Sequence, residues 1–75
     1  MTGYVLIQAE VGMAKDVGSA LSSVEGVTGV DMVTGPYDVI ARTEAKDFEQ
    51  LGALMGQIQN VAGIARTLTC SVLHI

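Results

Sequence analysis

A chain of 75 residues is long enough for one domain and too short for two, and a domain of this size buries only about 60–65% of its unfolded surface. Its single cysteine, Cys70, excludes an internal disulfide, and its single histidine, His74, falls roughly 13 Å further along a strand, too far to share a metal cluster. The net charge is −4, and Lys15, Arg42, Lys46 and Arg66 are scattered, which excludes the clustered cations that nucleic-acid binding needs.

Tyr4–Val11 reads as the first strand, with Val5, Ile7 and Ala9 alternating against Leu6, Gln8 and Glu10. Gly12 closes it. Met13, Val17, Ala20, Leu21 and Val24 then recur at helical spacing and predict a helix over 13–24. Glu25-Gly26 ends that helix, with Gly26 suited to a left-handed cap. Val27–Thr34 and Asp38–Thr43 are the next two strands, joined by the tight turn Gly35-Pro36-Tyr37 and therefore antiparallel neighbours. A second helix is expected over Asp47–Gln59, with Phe48, Leu51, Leu54, Met55 and Ile58 on one side. Asp47 and Glu49 favour its positive N-terminus. Gly52 and Gly56 lower its propensity but let another backbone approach closely. Ile64–Ile75 is the last strand.

The order βαββαβ is the α+β, ferredoxin-like arrangement: a four-stranded antiparallel sheet with both helices on one face. The other face is left uncovered by this chain. Hydrophobic residues make up 49% of the sequence and charged residues 16%, against about 25% charged in typical soluble domains. With neither a disulfide nor a metal to staple so small a core, self-association is the expected source of stability. No apolar run approaches the roughly 20 residues of a membrane span, and no secretory leader pattern is read. A single domain over 1–75 in the cytoplasm is the expectation.

Reaction chemistry is not evident. Ser19, Ser22, Ser23 and Ser71 have only His74 as a histidine base, and Ser71 falls on the opposite strand face from it. Glu10, Asp31, Asp38 and Glu44 show no spacing that makes them converge. Cys70 reads as a small buried hydrophobe. Arg66 suits either a salt bridge or a carboxylate partner. No catalytic residue, cofactor site or metal site is assigned, and the chain is expected not to be an enzyme. The densest unusual segment is Val33-Thr34-Gly35-Pro36-Tyr37-Asp38-Val39. Two readings stay open for it. In one, Thr34 and Asp38 cap the turn while Tyr37 packs. In the other, Asp38 accepts from an ammonium, turn amides donate to a carboxylate and Tyr37 walls the cavity, which together suit a free α-amino acid.

The stretch Val30-Asp31-Met32-Val33-Thr34-Gly35-Pro36-Tyr37-Asp38-Val39 resembles the C-terminal effector-binding and oligomerisation (RAM) domain of Lrp/AsnC-type regulators. That family carries a hydrophobic strand, Thr-Gly-X-Tyr-Asp, and another hydrophobic strand. Glu25-Gly26-Val27 matches its usual end of helix one, and Val61 to Thr69 resembles its Pro-Gly-Val followed by a threonine-bearing final strand, with Ala62 where Pro is common. The resemblance covers essentially the whole chain and implies a stand-alone RAM domain without a helix-turn-helix part. It further implies sheet-to-sheet dimers of the dimeric α/β-barrel type, assembled to octamers or decamers, with an amino acid bound between dimers. On that basis the candidate ligand residues are Thr34, Gly35, Tyr37 and Asp38, with Thr67 and Thr69 on the bordering strand. A full-length regulator is an expected partner that would supply DNA contacts. The alternatives are a structural or partner-binding ring without ligand, and a small dimeric α/β-barrel enzyme of the monooxygenase or isomerase kind.

Overall fold

The computed structural model describes residues 1–74. Its elements are β1 (Thr2–Ala9), α1 (Ala14–Leu21), β2 (Val27–Met32), β3 (Val39–Glu44), α2 (Phe48–Gln59) and β4 (Ile64–Ser71). The strands form one sheet in the order β2-β3-β1-β4, with every neighbouring pair antiparallel. This is the ferredoxin-like arrangement expected.

The alternation in β1 sets the two sides of the sheet. Val5 and Ile7 are fully buried and pack in one cluster with Val39 and Ala41 of β3, Val17 and Leu21 of α1, and Leu54 and Ile58 of α2. Both helices therefore cover the same face. Fully burying each of the larger of these side chains contributes about 1.5–3 kcal/mol. On the other face Leu6 pairs with Ile40 on one side and Leu68 on the other, and Tyr4 pairs with Arg42 and Cys70. Leu68 is 51% exposed there. Cys70 is exposed too, which corrects its expected burial: its register opposite Tyr4 puts it on the side without helices.

The element ends differ from expectation for identifiable reasons. α1 ends at Leu21: the Ser22 N–H still makes a helical bond to the Gly18 carbonyl, but the Ser23 and Val24 N–H groups bond only three residues back, to the Ala20 and Leu21 carbonyls, and tighten the last turn. Gly26 follows with φ 99°, in the left-handed region. β2 stops at Met32, not Thr34, because the Asp38 N–H turns to the Ile7 carbonyl of β1 while the Val33 N–H closes on the Asp38 carbonyl (both 2.9 Å). β4 stops at Ser71, since Val72 makes its bond to Thr2, where β1 begins; the expected extension to Ile75 ends outside the described residues. α2 starts as its sequence dictates, with the Asp47 carboxylate accepting the Gln50 N–H at 2.8 Å. Gly52 and Gly56 do not serve a close backbone approach within this chain: a Cβ at either would meet nothing within 4 Å.

Candidate functional site

One end of the sheet gathers the C-terminus of β1, the β2–β3 turn and the start of β4. The turn is fixed at its base. Besides the two backbone bonds described above, the Asp38 carboxylate accepts the Ala9 N–H at 2.8 Å. Asp38 thus supplies with its side chain the acceptor that a further β3 carbonyl would have offered β1. Its capping role is in place, and its other carboxylate oxygen accepts nothing among the described residues. At the tip, Gly35 has φ 126° and open space where a Cβ would stand, a backbone that L side chains rarely adopt. Pro36 follows, and the Gln8 Nε2 donates to its carbonyl at 2.8 Å. Thr34, Gly35 and Pro36 are exposed, and Tyr37 and Asp38 are half-buried.

Thr34, Gly35, Tyr37 and Asp38 are therefore brought together, as the linear motif requires. Thr67 and Thr69 are not part of that cluster. They lie on the helix side of β4, opposite Ile7 and Val5 of β1, so Thr67 is roughly 10 Å across the sheet from Val39. The Thr69 hydroxyl donates to the Met55 sulfur of α2 at 3.4 Å. Gln8 is a turn contact that the sequence does not single out. Its parity on β1 is legible, but its reach to Pro36 depends on the register between strands.

A cleft of about 420 Å³ lies elsewhere, lined by Glu25, Glu44, Gln50, Leu54 and Gln57 among others. It sits at the far end of β3, roughly 17 Å of strand from the turn. Glu44 is already engaged there by the Thr2 hydroxyl, the N-terminal ammonium at 3.9 Å and Arg42 at 3.9 Å. No described helix is long and apolar enough to cross a membrane.

A sequence profile of the Lrp/AsnC ligand binding domain matches residues 2–75. The HTH-type transcriptional regulator FL11 of Pyrococcus abyssi is 30% identical over 73 residues, which are 97% of this chain and 48% of that protein. The structure is similar to that of TTHA0845 from Thermus thermophilus, with a TM-score of 0.91 at 33% identity, covering 99% of this chain and 94% of the other. The expectation that the chain is not an enzyme is overturned by a third likeness. The homocitrate synthase of Sulfurisphaera tokodaii is 40% identical over 53 residues, 71% of this chain and 12% of the synthase. The chain thus spans about half the length of one curated relative and about an eighth of the other. A segment of this kind occurs in an enzyme as well as in regulators, and residues that do no bond chemistry themselves cannot reveal which sort of protein contains them. With the profile matching from residue 2 to 75, on the fold and turn described above, the chain belongs to the Lrp/AsnC ligand binding domain family.

Proposed function

We propose that this chain is an effector-binding and oligomerisation module for a small α-amino acid, bound beside the Thr34–Asp38 turn and enclosed by a second copy. The observation that carries the reading is a turn fixed at its base by three hydrogen bonds of 2.8–2.9 Å whose tip presents unhindered backbone at Gly35. A zwitterion loses water at both ends on entry and needs an acceptor and donors already in position. The second oxygen of Asp38 is the acceptor, the turn amides are the donors, and Tyr37 is the wall. The turn is too short to enclose a ligand alone, so the site needs a neighbouring copy and binding is linked to assembly. Of the bordering residues, Thr67 is the better placed; the Thr69 hydroxyl is spent on Met55. The likeness to FL11 supports a transcriptional role through a full-length regulator of the same family in the cytoplasm. The likeness to homocitrate synthase supports a second reading, in which the module reports effector level to a catalytic domain.

The test is calorimetry with the twenty amino acids on wild type, Asp38→Asn and Asp38→Ala, with assembly checked by sedimentation. Asn keeps an oxygen for the Ala9 N–H and loses the charge. D38N is expected to stay folded and assembled and to bind about 10-fold or more weaker, the range of one charged hydrogen bond. Unchanged affinity in D38N removes Asp38 from the site, and no binding by wild type removes the amino-acid reading.

A further inference from the structure

We infer that Gln8 is a positioning residue that ties the occupancy of the open sheet face to the shape of the Thr34–Asp38 turn. The inference rests on the reading of that turn as the ligand site and adds how assembly reaches it. Gln8 lies on the open side of β1, opposite Arg66 of β4 and one step beyond the Leu6–Leu68 pair. From there its Nε2 donates to the Pro36 carbonyl at 2.8 Å. Among the described residues this is the one hydrogen bond to any group from Thr34 to Tyr37. The tip of the turn is therefore held at a single point, by a side chain rooted in the open face.

That point has directional consequences. A trans peptide is planar, with its C=O and N–H pointing opposite ways, and the chain holds no cis peptide among the described residues. Fixing the Pro36 carbonyl toward Gln8 therefore aims the Tyr37 N–H away from Gln8, leaving it as one of the turn amides that the proposed site uses as donors. Pro36 has no N–H to compete for that role. In the isolated chain Gln8 is half-buried and its contact with Pro36 is open to solvent, so water competes for the carboxamide. A second copy laid over Leu68, Leu6 and Tyr4 removes that water, and the bond to Pro36 strengthens as its surroundings dry. Linkage makes the effect reciprocal: a ligand that orders the turn favours covering the face.

The experiment is a double-mutant cycle on the whole chain, read by amide hydrogen exchange at Val33 and Asp38, whose N–H groups close the base of the turn. Gln8→Met keeps the length of the side chain and removes the donor. Leu68→Asp places a charge on the exposed centre of the open face and is checked for dissociation by sedimentation. In the wild-type background Q8M is expected to speed exchange about 2- to 10-fold, the range of one net hydrogen bond. In the L68D background the same change is expected to have less than about twofold effect, because water already competes there. Gln8→Lys, which restores an N–H donor of similar reach, is expected to exchange like wild type. Equal factors in the two backgrounds, no effect of Q8M, or a Q8K protein as fast as Q8M each overturns the inference. An L68D protein that stays associated overturns it as well, since copies then do not meet through this face. Because exchange is read without ligand, failure of wild type to bind any amino acid removes the amino-acid reading and not this one.

Discussion

At the scale of single residues, the fold places two polar groups under opposite constraints. The Thr43 side chain is fully buried, and its hydroxyl has no hydrogen-bond partner among the described residues. It points at Gly3, where an added Cβ would sit 2.9 Å from the oxygen. Thr43→Val replaces an orphan hydroxyl by a methyl of similar shape and is expected to raise stability by roughly 1 kcal/mol. A urea transition with a higher midpoint and an unchanged slope is the confirming result. Gly3→Ala is expected to cost roughly 1–3 kcal/mol through overpacking. Asp38 is the contrasting case, because one oxygen of its carboxylate accepts the Ala9 N–H. D38A is expected to lose about 1–2 kcal/mol of stability from an unpaired, half-buried amide, while D38N loses little. The pair of urea curves separates that structural loss from any loss of ligand affinity.

Among the elements, α2 shows how local chemistry and packing divide the work. Leu51, Leu54 and Ile58 are its buried side, and Asp47 caps its start. Asp47→Ala is expected to cost roughly 0.5–2 kcal/mol. Gly56 faces open space, so nothing in the chain obstructs a methyl there. Gly56→Ala is expected to stabilise by about 0.5–1 kcal/mol by restricting the unfolded chain and favouring helix. A lower melting temperature in G56A at an unchanged particle size contradicts this. A smaller particle identifies the small-residue side of α2 as a contact between copies. The edge strands differ as well. β2 is six residues long and β4 eight; each carries one register irregularity and one charged side chain, Asp31 and Arg66, so the longer β4 edge leaves more backbone open to pairing.

For the whole molecule, the governing fact is a sheet with one covered face. Tyr4 is 38% exposed, beside Leu68 and Cys70 on the same side. A chain of 7.8 kDa has little core in reserve, and covering this patch with a second copy adds burial that a single chain cannot supply. The protein is expected to sediment above the monomer mass at micromolar concentration. Leu68→Asp is expected to shift it to a smaller particle and, by mass action, to lower the unfolding midpoint. A wild-type protein that sediments at 7.8 kDa contradicts the self-association.

The sequence by itself determined the element order, the two faces of β1, the burial of Leu51, Leu54 and Ile58 on α2, though not that Phe48 on the same expected side is 76% exposed, and the gathering of Thr34, Gly35, Tyr37 and Asp38. Each of these depends on spacing along the chain: period two in a strand, 3.6 in a helix, adjacency in a turn. Only the tertiary structure decided that Asp38 accepts from Ala9, that Gln8 reaches Pro36, that Cys70 is on the open side and that Thr67 and Thr69 stand two strands away from the turn. These depend on the register of β1 against β3 and β4, which joins residues 29 positions apart in the case of Ala9 and Asp38. A slip of one residue in that register reverses which side chains share a face. Local periodicity carries no record of it, because register is set by how the finished sheet packs against the two helices.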